Sequence, residues 1–169
     1  DPLPTLPTVV RELGGRPLLC TLRTQGEGGQ ARLSPEEYEQ RLTALLEKGG
    51  FGLVDIELAC GEERVSRLAS LAKRQGSGVV ISKHDFVKTP PSEEIAATLR
   101  KMKALGADLP KYAVMPHTPE DVLALLSATR QASREIGPVI TMSMGELGKL
   151  TRACGGVFGC CLTFGAGQS

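Results

Sequence analysis

The sequence predicts a parallel α/β fold, and three observations support this prediction. Short apolar runs of strand length alternate with longer passages of helical pattern along the chain. Two helical passages begin with a full start signal, Ser34-Pro35-Glu36-Glu37 and Thr118-Pro119-Glu120-Asp121. No internal repeat or linker divides the 169 residues. We therefore expect one domain that covers residues 1–169.

Six runs have the length and apolar character of buried strands. They are Pro17–Arg23, Leu53–Leu58, Val79–His84, Lys111–Met115, Val139–Met144 and Val157–Phe164. Helices are predicted before and between them. Their ranges are Thr8–Leu13, 34 to about 48, Glu62–Arg74, 91 to about 105 and 118 to about 135, with a loop and a short helix over Gly145–Ala153.

The two faces of each strand differ, because side chains alternate along a strand. One face is apolar, and the other carries polar groups near the carboxyl end: Thr21 and Arg23; Asp55 and Glu57; Ser82 and His84; Thr141 and Ser143, on the same face as Val139. An open sheet between two helix layers would be apolar on both faces. A closed barrel places the apolar faces under a helix ring and the polar faces inside. The pattern therefore predicts a TIM (β/α)8 barrel, with about six of its eight strands in this chain.

Composition excludes several classes of function. The formal net charge is +1 and acids and bases are interspersed, so we expect neither nucleic acid nor a membrane as partner. The first residues, Asp1 to Pro7, lack the basic and apolar regions of a signal peptide. The five cysteines have no metal-ligand spacing, which favours reduced thiols in a cytoplasmic protein and no metal site.

Two residues on neighbouring predicted strands point to chemistry. Lys111 begins one strand and His84 ends the preceding one. A lysine buried in a barrel is desolvated and becomes a usable nucleophile, although a lysine at a strand start can also extend to solvent. His84 is either an acid–base group or a hydrogen-bonded structural histidine. Buried lysine and histidine together are typical of imine chemistry on a carbonyl substrate.

Charged residues near the strand ends supply candidate partners. Arg23 leads into the glycine-rich loop that contains Glu27, and an arginine there suits a carboxylate ligand. Glu27 either reaches a histidine or is a solvated loop acid. Arg152 either binds an anion or is an exposed helix residue. Asp55 and Glu57 either neutralise the interior cations or do acid–base work.

Taken together, these residues resemble type I 3-dehydroquinate dehydratase, the imine-forming enzyme of the shikimate pathway. The matching stretches are Arg23-Thr24-Gln25-Gly26-Glu27-Gly28-Gly29, Ser82-Lys83-His84-Asp85-Phe86 with Lys88-Thr89-Pro90, Pro110-Lys111-Tyr112-Ala113-Val114-Met115-Pro116, Ile140-Thr141-Met142-Ser143-Met144, and Val157-Phe158-Gly159 through Thr163-Phe164-Gly165. They span nearly the whole chain in the family's order.

The resemblance implies a homodimeric (β/α)8 barrel without metal or organic cofactor. It implies a lyase that converts 3-dehydroquinate to 3-dehydroshikimate and water, in chorismate and aromatic amino-acid biosynthesis. Lys111 matches the Schiff-base lysine, His84 the general acid–base group and Glu27 the acid paired with it. Arg23 and Arg152 match arginines that bind substrate.

The chain also departs from the family pattern. The family begins with two further strands, the second with a Glu-x-Arg-x-Asp stretch whose last residue Asp1 resembles. It continues beyond Ser169 through a Ser-Ala-Pro-Gly-Gln loop and a final helix. Residues 145–148 differ locally from the family as well. We therefore expect a barrel that is incomplete at both ends.

Two other readings stay open. One is a catalytically silent module of the same lineage that binds quinate-type ligands or partners, and such a module has no need of all three catalytic residues. The presence of Lys111, His84 and Glu27 together favours the enzyme. The other is a lysine-imine barrel enzyme of the class I aldolase kind, against which the Glu27 loop and the His-Asp-Phe run argue.

Overall fold

A five-stranded parallel sheet organises the computed structural model, which describes residues 16–165. The strands are β1 (Leu19–Thr21), β2 (Leu53–Glu57), β3 (Gly78–Asp85), β4 (Leu109–Val114) and β5 (Ile140–Ser143). They pair side by side in chain order, and all four pairs are parallel. Neighbours in sequence are thus neighbours in the sheet, as in a barrel of βα units. The predicted α/β, TIM-barrel-like class is confirmed.

Helices follow the strands as predicted. They are α1 (Pro35–Lys48), α2 (Glu62–Arg74), α3 (Ser92–Ala104), α4 (Pro119–Ile136) and α5 (Lys149–Cys154), with 3₁₀ turns at Gln25–Glu27, Leu58–Cys60 and Gly155–Phe158. The helix expected over Thr8–Leu13 lies outside the described residues. No helix within residues 16–165 is long and apolar enough to cross a membrane.

The two predicted start signals form complete capping boxes. The Ser34 hydroxyl accepts a hydrogen bond from the Glu37 N–H at 3.2 Å, and the Glu37 carboxylate accepts one from the Ser34 N–H at 2.8 Å. Thr118 and Asp121 repeat the exchange at 3.3 and 3.1 Å. Each box satisfies amide groups that have no partner inside the helix, which is why α1 and α4 begin where they do.

The sixth predicted strand, Val157–Phe164, is wrong. Residues Gly155–Phe158 form a 3₁₀ turn, and Gly159 ends it in the left-handed region with φ of 101°. A Cβ at Gly159 would lie 2.2 Å from the Ser133 hydroxyl of α4, so the chain passes too close to that helix for a larger residue. Of this run, Cys160 forms an isolated bridge to Val139. The glycines override the apolar pattern, and the described sheet has five strands.

The main core lies between the sheet and the helices, and a smaller cluster lies on the opposite face of the sheet. From the strands, the helix side receives Val54, Ile56, Val79, Ile81, Tyr112 and Val114. The inner cluster consists of Val80, Ala113, Ile140 and Met142. Burial of each large apolar side chain contributes about 1.5–3 kcal/mol. The helix layer therefore fixes which face of the sheet is left for a site.

The faces predicted for β5 are reversed. Ile140 and Met142 belong to the inner cluster, whereas Thr141 points to the helices and its hydroxyl lies 2.6 Å from that of Thr129 on α4. Polarity misled the assignment because the helix supplies a buried hydroxyl partner, which removes the cost of burying Thr141.

Candidate active site

The inner face of the sheet carries a buried polar cluster near the carboxyl ends of β2, β3 and β4. Asp55, Glu57, Ser82 and Lys111 are each at most 5% exposed. The register pairs Glu57 with Ser82 and Ser82 with Lys111, so these residues lie across the three strands at one level. Buried polar groups at this position need specific partners, because desolvation without a hydrogen bond costs free energy.

Lys111 is the buried cation of the cluster. Its Nζ lies 3.4 Å from Oδ2 of Asp55 and 4.7 Å from the centre of the Phe164 ring. Burial lowers the pKa of Lys111 from its ordinary value, and the opposing attraction of Asp55 is the smaller effect. The alternative in which the ammonium group extends to solvent is wrong, and the direction of the shift is the one that favours a nucleophilic amine.

Arg23 is bound to both inward carboxylates. Its guanidinium contacts Asp55 Oδ2 at 2.5 Å and Glu57 Oε1 at 3.1 Å, and it donates to the Ser82 hydroxyl at 2.9 Å. Ser82 in turn donates to the second oxygen of Asp55 at 2.5 Å. Asp55 and Glu57 therefore neutralise interior cations, and Asp55 bridges Arg23 and Lys111 through one oxygen.

Glu57 is also fixed by the polypeptide around it. Its carboxylate accepts hydrogen bonds from the backbone and the hydroxyl of Thr24, at 2.8 and 2.6 Å. The Tyr38 hydroxyl of α1 accepts one from the Glu57 N–H at 2.9 Å. Burial raises the pKa of Tyr38, so its hydroxyl stays protonated. Helix α1 thereby holds the end of β2 in place.

Glu27 and His84 form a second pair at the end of β3. The Oε2 atom of Glu27 lies 2.7 Å from Nδ1 of His84 and accepts a hydrogen bond from the His84 backbone N–H, also at 2.7 Å. Glu27 is 6% exposed, so the solvated-acid alternative is wrong. With Nδ1–H donated to a carboxylate, Nε2 is the nitrogen left to exchange a proton.

The glycine-rich loop needs its glycines to bring Glu27 to His84. Gly28 has φ of 87°, and a Cβ there would lie 2.3 Å from the tip of the Phe86 ring. A Cβ at Gly29 would lie 2.2 Å from the Arg23 carbonyl oxygen. The Phe86 ring stacks beside His84 with centroids 6.1 Å apart. The loop is thus packed directly against the His-Asp-Phe run.

The structure brings four of the five predicted site residues to one end of the inner face. His84 lies two residues beyond Ser82 on β3, about 7 Å further along the strand on the same face. Arg152 is the exception: it is exposed on α5 and takes no part in these contacts. No three His, Cys, Asp or Glu side chains within residues 16–165 converge as a metal site would require.

Sequence reasoning missed two contributors. Phe164 covers the Lys111 amine, although it belongs to an apolar run that we assigned to a strand. Tyr38 reaches Glu57 from the buried face of α1, where its aromatic ring predicts only packing. The signal for Tyr38 is a polar atom at a core position of the helix, since a buried hydroxyl needs a partner.

These features define a class of protein: a parallel α/β barrel-like fold with a buried lysine and a carboxylate-bound histidine at the strand ends. Residues 3–169 match the family model described as Type I 3-dehydroquinase. The chain belongs to this family. The resemblance that the motifs predicted is confirmed.

Individual relatives agree with the family assignment. The 3-dehydroquinate dehydratase of Enterococcus faecalis is 46% identical over 162 residues, covering 95% of this chain and 64% of that protein. The Neisseria gonorrhoeae enzyme is 46% identical over 156 residues, covering 92% of this chain and 61% of its own length. The chain thus spans less than two thirds of these relatives.

Solved structures of the family superpose closely. The Enterococcus faecalis structure matches with a TM-score of 0.89 at 46% identity, over 93% of this chain and 66% of that one. The Clostridium difficile type I enzyme, solved with covalently modified comenic acid, matches with a TM-score of 0.88 at 42% identity, over 95% and 65%.

Proposed function

We propose that this chain carries the Schiff-base centre of a 3-dehydroquinate dehydratase, which converts 3-dehydroquinate to 3-dehydroshikimate and water. The observation that carries the proposal is the buried Lys111 amine on the same face as the Glu27–His84 pair. The names of the relatives support the substrate. The covalently modified ligand of the Clostridium difficile relative is in line with covalent chemistry in this family.

The first step is imine formation at Lys111. The neutral amine attacks the ketone carbon of the substrate and forms a carbinolamine, which loses water to give an iminium ion. His84 supplies and removes the protons of this step at Nε2. Asp55 lies 3.4 Å from the nitrogen and stabilises the positive charge of the protonated imine.

The second step is the elimination. The iminium withdraws electrons, so Nε2 of His84 removes a proton from the carbon next to the imine carbon. The electron pair of that C–H bond forms the new double bond, and the neighbouring hydroxyl leaves as water after protonation by the imidazolium. Hydrolysis of the imine consumes the water released when it formed and frees Lys111. The net change is the loss of one water from the substrate.

The arginines provide recognition of the acidic substrate. We propose that Arg23, already fixed between Asp55 and Glu57, contacts the substrate at the strand ends. We propose Arg152 as the partner of the substrate carboxylate, supported by its exposed side chain on the helix that follows β5. An Arg152→Gln variant tests this role, because a lost carboxylate contact raises KM.

Assembly and location belong to the same proposal. We propose that the chain is part of one barrel domain that forms a homodimer, which is supported by the exposed apolar residues Leu123 and Val157, 63% and 81% exposed. We propose the cytoplasm as its compartment, because its five cysteines are free thiols. Burial raises the pKa of Cys20 and Cys60 to about 11, which keeps these two protonated and unreactive.

Reductive trapping tests the proposed function. The protein is incubated with 3-dehydroquinate and sodium borohydride, and the mass and position of any adduct are determined by mass spectrometry, with Lys111→Ala in parallel. An adduct on Lys111 that is absent from the variant supports the imine. A folded protein, judged by circular dichroism, that forms no adduct would contradict the enzyme and favour the ligand-binding module.

A further inference from the structure

A lysine–tyrosine pair lies directly behind the two residues proposed to carry the chemistry. The register of β3 and β4 places Lys83 opposite Tyr112. Lys83 immediately precedes His84, and Tyr112 immediately follows Lys111. Because side chains alternate along a strand, this pair projects to the helix side while His84 and Lys111 project to the inner face. The pair therefore joins the two strands at the level between the histidine and the amine.

The two side chains contact each other as a cation over an aromatic ring. The Nζ atom of Lys83 lies 5.1 Å from the centre of the Tyr112 ring. Tyr112 is fully buried in the main core, and Lys83 is half-buried. A cation–π contact is stronger when it is partly removed from water, so the burial of Tyr112 strengthens its contact with Lys83.

Most neighbours of the pair on the helix side are apolar, although the charges of Asp85 and Glu94 also act on Tyr112. On the helix side, the positions that precede it on β3 are Val79 and Ile81, and the next outward position on β4 is Val114. The Tyr112 hydroxyl has no hydrogen-bond partner among the described residues. The ring face is the direct contact of the half-buried cation at position 83, and the charge of Lys83 also opposes the rise that burial causes in the pKa of Tyr112.

We propose that Lys83 and Tyr112 are a positioning pair that sets the spacing between the His84 imidazole and the Lys111 amine. A cross-strand side-chain pair stabilises one register of two neighbouring strands. A change in the register of β3 and β4 would move His84 relative to Lys111. The proposal rests on the proposed function of Lys111 and His84, and it deepens that function by assigning residues that do not touch the substrate.

The test compares four variants and reads the His84 ring directly. Lys83→Met keeps the aliphatic stem without the charge, and Lys83→Arg restores a cation over the ring. Tyr112→Leu removes the ring, and Tyr112→Phe keeps it. The chain has two histidines, so a His117→Gln variant assigns the imidazole signals in a ¹H–¹⁵N spectrum. Lys48→Met, at the exposed end of α1, is the control for loss of one positive charge.

We expect the His84 Nδ1–H signal to shift or broaden in Lys83→Met and Tyr112→Leu, and to stay as in the parent in Lys83→Arg, Tyr112→Phe and Lys48→Met. The rate of borohydride trapping at Lys111 should fall by at least about fivefold in the first two, since a misplacement of about 1 Å can cost about 100-fold. Unchanged His84 signals in a folded Lys83→Met protein would overturn the proposal, as would failure of Lys83→Arg to restore them.

The two readouts separate this proposal from the proposed function. If the parent protein forms no adduct, the proposed chemistry fails, and the His84 spectrum still decides whether the pair positions the ring. If Tyr112→Leu does not fold, the comparison of Lys83→Met with Lys83→Arg carries the decision. Loss of thermal stability with an unchanged His84 spectrum marks a purely structural role and contradicts positioning.

Discussion

One oxygen of Glu27 holds His84 at two points, its backbone N–H and its Nδ1 atom, each at 2.7 Å. The backbone contact fixes the carboxylate to β3, and the ring contact then fixes the imidazole to the carboxylate. The orientation of the proposed acid–base group thus depends on a residue 57 positions away in the chain.

Replacing Glu27 with Gln should slow the proton transfers of His84 while the Lys111 amine stays in place. The amide oxygen can still accept both hydrogen bonds, but it no longer carries the charge that stabilises an imidazolium. We expect the exchange of the substrate proton next to the imine carbon to slow by about 100-fold. Deuterium incorporation followed by NMR measures this rate.

The control for this prediction is reductive trapping on the same variant. The Lys111 adduct should still form on long incubation, more slowly than in the parent, since the amine and its contact with Asp55 are kept while the weakened His84 also serves imine formation. An exchange rate equal to that of the parent would show that the charge of Glu27 has no part in the proton transfer.

A Gly28→Ala substitution should displace the Glu27 loop. The new Cβ would lie 2.3 Å from the Phe86 ring, and φ of 87° is strained for alanine. We expect the free energy of unfolding to fall by about 1–3 kcal/mol, together with loss of the His84 Nδ1–H signal. Urea unfolding and the ¹H–¹⁵N spectrum measure the two effects.

The matched variant Gly28→Ala/Phe86→Ala divides the effect into its parts. Truncation of Phe86 removes the steric contact and leaves the backbone strain. Gly28→Ala should therefore lower the free energy of unfolding less in the Phe86→Ala background than in the parent. Strict additivity of the two substitutions would refute the contact.

Replacing Lys111 with Met should stabilise the folded protein. Burial lowers the pKa of Lys111, so near neutral pH the folded state binds its proton less tightly than the unfolded state. Removal of the buried charge should raise the free energy of unfolding at pH 7, because Arg23 and Ser82 still bind Asp55 and leave its carboxylate paired. Guanidinium titrations at several pH values measure the difference.

The sign of the pH dependence follows from the direction of the shift. As pH rises through the lowered pKa towards the ordinary value of 10.5, Lys111 loses its proton in the folded parent before it does so in the unfolded chain. The free-energy cost of burying its charge then disappears. The advantage of Lys111→Met should therefore shrink with rising pH, while exposed Lys48→Met shows no such trend. An advantage that grows with pH would rule out a lowered pKa.

The two tyrosines of the chain should respond differently to loss of the hydroxyl. Tyr38→Phe leaves the buried N–H of Glu57 without its acceptor at 2.9 Å, at a cost of about 1–3 kcal/mol. Tyr112→Phe removes a buried hydroxyl that leaves no backbone donor without an acceptor, so it should cost less stability than Tyr38→Phe. Urea unfolding measures both; equal losses would contradict the assigned contacts.

Local chemistry explains which elements the sequence predicted well. The capping boxes at Ser34 and Thr118 act within four residues, so they can be recognised without any knowledge of the fold. The sixth strand was wrong because the glycines at 155, 156 and 159 admit a turn that packs on α4. The β5 faces were reversed because the partner of Thr141 is a hydroxyl on another element.

The sequence by itself determined the βα alternation, the helix starts, the family, and the placement of Lys111 and His84 on adjacent strands. Only the tertiary structure decided that Asp55 binds both Arg23 and Lys111 and that Glu27 is buried in contact with His84. It also decided that Arg152 is exposed, away from the contacts of this cluster. The reason is distance along the chain. The contacts of the cluster join residues 27 to 59 positions apart, and their partners are chosen by strand register and burial, which no local pattern encodes.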